Sequence, residues 1–230
     1  MWTQEDQRLY NVAYYAEHRD EEIERVRVRQ EATLEFLRDL RRRPCADCGQ
    51  SFPPWVMDFD HRDPKTKSFA LAAGHALLKP RDVLLAEIAK CDIVCANCHA
   101  IRTYNWIKSE DVFASRAPGN SRYLERRTAY RRVQATLLAE LRAVPCVDCG
   151  RTFPYFVMQF DHRDPREKKY LVSQMVGRTG TETILAEVRK CDIVCTNCHR
   201  ERTYQRRCAS RIDVNRGSSS AWLERLPSKQ

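Results

Sequence analysis

Two sets of four cysteines, each arranged as two CxxC pairs, carry the most specific chemistry in the 230-residue sequence. Each pair can grip one metal ion from a tight turn, and four thiolates complete the tetrahedral shell of a structural zinc. Because this spacing occurs twice, we predict two structural Zn²⁺ ions. Their ligands are Cys45, Cys48, Cys95 and Cys98 in the first set, and Cys146, Cys149, Cys195 and Cys198 in the second.

Two further cysteines, Cys91 and Cys191, lie four residues before the second CxxC pair of each set. They could replace one of the ligands, but a single thiol in an apolar helical turn is usually a small buried hydrophobe. We therefore assign them to the core. The odd total of eleven cysteines, together with the CxxC spacing, favours metal binding over a disulfide framework.

The CxxC pairs belong to an internal repeat. The stretch PCADCGQSFPPWVMDFDHRDP matches PCVDCGRTFPYFVMQFDHRDP at an offset of 101 residues, and CDIVCANCH matches CDIVCTNCH at an offset of 100. A module of roughly 70 to 100 residues buries only a modest core, so a bound metal would add needed stability. The chain is expected to form two zinc modules.

Each repeat is expected to begin with a helix, over about Glu21–Arg43 and Arg122–Arg142, and the second of these is the more basic. Extended stretches follow at Trp55–Phe59 and Tyr155–Phe160, and each ends in Asp-His. A variable segment, a helical turn containing AEIAK or AEVRK, and the CxxCH motif come next. The predicted division is a helical segment at 1–43, module 1 at 44–108, a linker with the basic helix at 109–143, module 2 at 144–208, and a flexible tail at 209–230.

A second group of polar residues remains after zinc has taken its four sulfurs. A zinc that joins the two CxxC elements would bring Asp60, His61 and His99 close together, and their counterparts are Asp161, His162 and His199. A carboxylate and an imidazole make an open site for a divalent ion such as Mg²⁺ or Mn²⁺, with positions left for water and a phosphate oxygen. A second imidazole could take a proton from attacking water.

The order CxxC, then a strand ending in Asp-His, then CxxCH resembles the HNH endonucleases, in the subgroup that carries a four-cysteine zinc. The resemblance covers about Cys45–Tyr104 and Cys146–Tyr204. It implies an α+β fold with two tandem zinc-stabilised ββα-metal (HNH, His-Me finger) modules and arginine-rich flanking helices. It also implies general bases at His61 and His162, and ligands of a catalytic Mg²⁺ or Mn²⁺ at Asp60, His99, Asp161 and His199.

One position departs from the HNH pattern. The family usually has an asparagine about five residues before the second CxxC, where it helps to hold the loop that carries the base. This chain has Lys90 and Lys190 there. The difference fits either a variant that orients its base in another way or a module that has kept the zinc fold without activity.

Four basic residues match between the repeats near the proposed metal. They could hold the scissile phosphate or a neighbouring one, although an exposed cation that binds nothing is the alternative. The four are Lys67, Arg102, Lys168 and Arg202.

The composition favours a nucleic-acid partner. The formal net charge is +9 and the isoelectric point is about 9.1, and most of the positive charge is arginine, whose planar fork of donors suits phosphate. The sequence has no apolar run of membrane-spanning length and no signal peptide at its start, so we expect a soluble, cytoplasmic protein with no membrane partner.

The resulting hypothesis is a metal-dependent endonuclease that nicks double-stranded DNA, or cuts it by paired nicks. It would act as a monomer, because both modules lie in one chain. The alternative is a catalytically inactive, zinc-containing protein that binds nucleic acid in a regulatory role. A zinc scaffold for protein contacts ranks last, because it leaves the basic charge without a use.

Overall fold

The computed structural model describes residues 2–72, 74–109 and 122–223. It combines helices with two small two-stranded sheets, β1 with β2 and β3 with β4. The helices are α1 (Gln4–Leu40), α2 (Arg81–Ile88), α3 (Ala96–Ser109), α4 (Arg122–Leu141), α5 (Val172–Met175), α6 (Thr181–Val188) and α7 (Thr196–Leu223). The strands are β1 (Met57–His61), β2 (Cys91–Cys95), β3 (Met158–His162) and β4 (Cys191–Cys195).

The chain divides into two compact units, Met1–Val94 and Cys95–Gln230. Helix α3, which belongs to the first repeat by sequence, therefore lies in the second unit with the whole of the second repeat. The sequence instead placed residues 44–108 together in module 1. Most of the predicted linker, residues 110–121, lies outside the described residues, as do residues 224–230 of the predicted tail.

The first unit begins with the long helix α1. Thr3 caps its first turn: the Thr3 hydroxyl accepts from the Asp6 backbone N–H, and the Asp6 carboxylate accepts from the Thr3 backbone N–H. The helix bends at His18 and ends at Leu40, before Pro44. Leu37 is buried, and Arg29 donates to the Leu78 carbonyl in the short 3₁₀ turn Gly74–Leu78.

The second unit packs α4, α5 and α6 around one apolar cluster. Its buried members are Leu138, Val172, Met175, Ile184 and Cys191. Gln134 fixes the loop before α6 to α4, because its amide donates to the Thr179 carbonyl (2.9 Å) and accepts from the Gly177 backbone N–H (2.8 Å). Gly177 has φ +74°, a conformation that glycine adopts readily.

Strands β3 and β4 pair antiparallel, with Met158 opposite Cys195 and His162 opposite Cys191. The pairing explains why the sequence CDIVC is extended. Val194 is fully buried, and every residue of the stretch has a partner on the other strand. The prediction that Cys191 lies in a helical turn is therefore wrong: the turn ends at Lys190, and Cys191 opens the strand.

Helices α3 and α7 meet at equivalent positions of the two repeats. The Asn97 backbone N–H donates to the Asn197 side-chain oxygen, and the Asn197 backbone N–H donates to the Asn97 side-chain oxygen, both at 2.9 Å. Both asparagines are buried. Further along α3, Tyr104 stacks on Phe156 with ring centroids 3.8 Å apart. These contacts account for the position of α3 in the second unit.

Helix α7 continues through residues 209–223, which the sequence assigned to a flexible tail. Within the described ranges, no helix has an apolar stretch long enough to cross a membrane.

The asparagine pair gives a stability prediction. Asn197→Ala leaves the buried Asn97 N–H without its acceptor, so we expect the free energy of unfolding to fall by about 1–3 kcal/mol. Chemical denaturation at saturating Zn²⁺ measures the change. Gln205→Ala, at an exposed position of the same helix, serves as the control. Equal stability of the two variants would show that the asparagine contact contributes little.

Candidate functional site

Both four-cysteine sets come together in the structure. In each, the four sulfur atoms lie within 4.8 Å of one another, as tetrahedral coordination of a single ion requires. The donor set of four sulfurs suits zinc and leaves no open position for chemistry. No other group of three or more His, Cys, Asp or Glu residues within the described ranges is placed to hold a metal. Two potential structural zinc sites are thus confirmed.

The surroundings of Cys146, in the second set, favour its thiolate. Burial alone raises the pKa of Cys146, but hydrogen bonds from the backbone N–H groups of Cys149, Cys195 and Asp148 bring it below its ordinary value. The Cys195 N–H lies 3.2 Å from the Cys146 sulfur. Burial raises the pKa of Cys195, and hydrogen bonds from the Cys198 backbone N–H and the Asn97 side chain partly oppose this rise. Asn97, a residue of the first repeat, thus hydrogen-bonds a predicted zinc ligand of the second repeat.

Cys191 lies in the apolar cluster and not among the zinc ligands, as expected. Its thiol lies 3.5 Å from the Glu187 carbonyl. Burial and the nearby carboxylates of Glu187 and Asp161 raise its pKa to about 11. Cys91 packs against the corresponding cluster of the first unit, and burial there also raises its pKa to about 11. Both thiols therefore stay protonated at neutral pH.

Each predicted base lies at the end of a strand and is held by a buried glutamate. His162 Nε2 lies 2.9 Å from a carboxylate oxygen of Glu187, and His61 Nε2 lies 2.8 Å from Glu87. The two histidines and the two glutamates are all less than 10% exposed. In the His162 ring, Nδ1 has no hydrogen-bond partner among the described residues. His162 thus presents one fixed and one available imidazole nitrogen, and Nε2 of His61 is fixed in the same way.

Glu187 is held as a carboxylate. Burial opposes its charge, but Lys190 (2.6 Å), the backbone N–H of Lys169 (2.8 Å), His162 and the backbone N–H of Tyr170 (3.2 Å) all hydrogen-bond to it. Together they lower its pKa to about 2. The first repeat has the same arrangement: Lys90 bonds Glu87, whose pKa is also lowered to about 2.

The sequence analysis missed these glutamates. The signal was present, because AEIAK and AEVRK keep the same Glu three residues before the same Lys. The lysines that depart from the HNH pattern thus contact the histidines' partner and not the histidines themselves.

The structure places a carboxylate oxygen of Asp161 3.4 Å from His199 Nε2. The same carboxylate also accepts from Arg206 (2.7 and 2.8 Å) and Arg202 (3.0 Å). Burial alone raises the pKa of Asp161, but the bonds from His199, Arg206 and Arg202 bring it well below its usual range. One carboxylate and one imidazole fit a divalent ion that draws its other ligands from water and phosphate, provided that Arg206 yields its place.

Arg202 joins three acidic residues. Besides Asp161 it donates to Asp192 (2.9 Å) and, through two nitrogens, to Asp148 (2.5 and 2.8 Å). Asp161 and Asp192 are direct partners across β3 and β4, where two like charges repel, and Arg202 donates to both and reduces this repulsion. Its donors are therefore engaged within the protein, and a phosphate contact by Arg202 remains a prediction.

A cavity of about 860 Å³ opens beside these groups. Asp161, His162, His199 and Arg206 line one part of it, and Lys168 lies at its wall near the 3₁₀ turn Pro165–Glu167. Apolar side chains of α4 and α5 form the remainder. The predicted base, the predicted metal ligands and one predicted phosphate contact therefore face a common space.

In the first repeat the predicted site residues are divided between the two units. Asp60 and His61 are the last two residues of β1, and Lys67 follows the 3₁₀ turn Pro64–Thr66. His99 and Arg102 lie on α3, in the second unit.

Geometry and chemistry thus define a protein with two four-cysteine metal modules and a Glu–His pair in each repeat. No protein-family model, curated protein or solved structure matches the chain.

The metal centres predict two zinc ions per chain. Cys198→Ser removes one of four sulfurs and is expected to reduce the zinc content of the purified protein from two to about one per chain. Cys191→Ala, which alters a thiol outside the sulfur group, is expected to retain both. Elemental analysis of protein dialysed against metal-free buffer checks both outcomes, and loss of zinc from the Cys191 variant would contradict the assignment.

The buried glutamate gives a second stability prediction. Glu187→Gln places an amide N–H against either the Lys190 ammonium or the backbone donors, so one donor loses its acceptor. We expect the free energy of unfolding to fall by about 1–3 kcal/mol at neutral pH. Glu182→Gln, at an exposed position of the same helix, is the control and is expected to change it by less than about 0.5 kcal/mol. Equal losses in the two variants would argue against the buried network.

Proposed function

We propose that this chain is a metal-dependent endonuclease of the HNH type that hydrolyses phosphodiester bonds of double-stranded DNA. One observation carries the proposal. His162 ends β3 with Nε2 fixed by Glu187, and it lies on a cavity shared with Asp161 and His199. A histidine held in this way, next to a carboxylate–imidazole pair, has the parts that water activation requires.

The glutamate determines which ring nitrogen acts as the base. Ionised Glu187 is an acceptor only, so the bond at 2.9 Å requires a proton on Nε2 of His162. Nδ1 then carries the lone pair and can accept a proton. The carboxylate also stabilises the imidazolium that forms, as the orienting acid does in a catalytic triad. Glu187 is thus a positioning residue.

The proposed reaction is hydrolysis by an activated water. The water oxygen attacks phosphorus as Nδ1 of His162 accepts the water's proton, and the bond from phosphorus to the leaving oxygen breaks. The leaving oxygen takes its proton from solvent. Asp161 and His199 would hold the divalent ion, which supplies Lewis-acid stabilisation of the charge on the phosphoryl oxygens. Lys168, at the cavity wall, would contact a neighbouring phosphate.

In this proposal Glu187 and Glu87 replace the usual asparagine of HNH enzymes. The asparagine helps to hold the loop that carries the base, whereas each glutamate binds the imidazole itself and accepts from the backbone after the Asp-His loop, at Lys169 or Ser68. Lys190 and Lys90 hold the glutamates in their charged form. The missing asparagine is then explained, because a glutamate takes over its supporting role.

The alternative is a zinc protein that binds nucleic acid without cutting it. The arginines on Asp161 favour it, because two guanidinium groups within 3.0 Å of that carboxylate oppose the binding of a divalent cation. In this case Asp161 would serve to anchor α7 to β3.

A nicking assay separates the two functions. We expect zinc-loaded protein to nick supercoiled plasmid when Mg²⁺ or Mn²⁺ is added, and the double variant His61→Ala, His162→Ala to lose this activity while still binding DNA. The metal-free control leaves out the divalent ion, because a chelator would also strip the structural zinc. DNA binding by a zinc-loaded protein that nicks with neither ion would support the alternative.

The positioning role has its own test. Glu187→Gln in a His61→Ala background, where only the second repeat is active, is expected to lower the nicking rate at saturating DNA about 10–100-fold. Zinc content and DNA affinity should not change. A purely structural role would leave the pH dependence of the remaining activity unaltered, whereas loss of the imidazole's partner is expected to shift it.

A further inference from the structure

The two helices that open the repeats differ in charge. Helix α1 contains six arginines and ten acidic residues, whereas α4 contains five arginines and two acidic residues. Helices at matching positions of a repeat would serve the same packing role, so packing alone does not account for this difference. From these counts the formal net charge is +3 on α4 and −4 on α1.

Three of the six arginines of α1 form ion pairs with glutamates of the same helix. Arg25 pairs with Glu22, Arg27 with Glu24 and Glu31, and Arg38 with Glu35, at distances of 2.5 to 3.1 Å. Such i,i+3 and i,i+4 pairs are typical of an exposed helix whose surface faces solvent. These guanidinium groups are engaged locally.

Three arginines of α4 differ from these in having no such partner. Arg126, Arg127 and Arg131 are exposed and have no carboxylate partner among the described residues, and the same holds for Arg178 in the loop before α6. Neighbouring cations without counter-ions repel one another, which is a cost in the free protein. An anionic ligand would relieve it.

Backbone packing brings the loop that carries Arg178 close to α4. Gly177 lies so close to α4 that a Cβ there would be 3.2 Å from the Arg131 side chain. Its N–H is also bound by Gln134. As a result Arg126, Arg127 and Arg178 line one groove of about 590 Å³ together with Gly177.

The groove continues towards the candidate site. Arg131, whose stem packs on Gly177, also lines the 860 Å³ cavity that contains His162 and Lys168. A row of cations therefore runs from Arg126, Arg127 and Arg178 through Arg131 to Lys168. We call the first four residues the α4 arginine track.

We propose that the α4 arginine track binds the phosphodiester backbone of double-stranded DNA and directs it to the cavity at His162. Arginine binds phosphate through two parallel N–H donors, and a row of them suits a ligand with a regular series of phosphates. The choice of duplex DNA as the ligand rests on the proposed function, while the anion-binding row itself does not.

Salt dependence provides the test. Fluorescence anisotropy with a labelled duplex of about 30 base pairs, at NaCl between about 50 and 200 mM, gives the slope of log affinity against log salt. The triple variant Arg126→Gln, Arg127→Gln, Arg178→Gln is expected to reduce the steepness of this slope by about 2–3 and the affinity at low salt by at least about tenfold. Zinc content verifies that the variant is folded.

The matched control removes three charges elsewhere. Arg25→Gln, Arg27→Gln, Arg38→Gln alters paired arginines of α1 and is expected to leave the affinity within about twofold, because their charge is already balanced. An unchanged salt slope in the α4 variant, or an equal loss of affinity in the α1 variant, would contradict the proposal that the α4 arginine track binds DNA. Equal competition by polyglutamate and by unlabelled duplex would overturn the assignment to DNA.

The outcome is independent of cleavage. If the wild-type protein nicks no plasmid but the α4 variant loses affinity, the track stands and the nuclease proposal fails. If nicking depends on His162 but the α4 variant binds DNA as tightly as the wild type, the nuclease stands and the track fails.

Discussion

The meeting of four sulfurs is the constraint on which the second unit depends. It joins the turn at Cys146 and Cys149 to the junction of β4 and α7, where Cys195 ends the strand and Cys198 lies in the first turn of the helix. Once that junction is fixed, His199 follows at the next position and faces Asp161 on the neighbouring strand. If packing alone held them, this turn and the helix could shift relative to one another. A tetrahedral centre allows only one arrangement, so the metal would set the geometry of the histidine cluster without taking part in its chemistry.

Buried charge is the second organising element. Glu187 and Asp161 are both almost inaccessible, and each is satisfied by several donors from different segments. Hydrogen bonds to Glu187 connect α6 to His162 and to the loop after β3. Hydrogen bonds to Asp161 connect β3 to α7. Removing one partner from such a network leaves another buried group uncompensated, which makes the arrangement specific as well as stable. Ionic hydrogen bonds, together with a small apolar core, therefore hold the site residues in place.

Several features could be predicted from the sequence because their chemistry is local. The zinc ligands follow from CxxC spacing, and α1 and α4 end at Leu40 and Leu141, close to the predicted ends at Arg43 and Arg142. The extended state of Cys191–Cys195 was missed, since a stretch of only five residues between helical segments gives no clear periodicity and pairing with β3 decides its conformation. Glu187 was missed because an acid in a helical turn is usually exposed. The role of Asn97 depends on a contact with Asn197, one hundred residues away, and no local pattern reveals it.

The reciprocal bonds between Asn97 and Asn197 join identical residues through identical atoms, which is the form of contact found across the two-fold axis of a homodimer. Here both halves belong to one polypeptide. Covalent linkage supplies each half with its partner at a high local concentration, so this pairing does not weaken when the protein is diluted. Covalent linkage also allows each repeat to acquire substitutions that the other repeat does not have. Asp58 in one repeat corresponds to Gln159 in the other, and the helix that precedes each repeat has its own charge. A dimer of identical chains must carry every substitution twice, whereas a duplicated chain can give one half a task that the other half lacks.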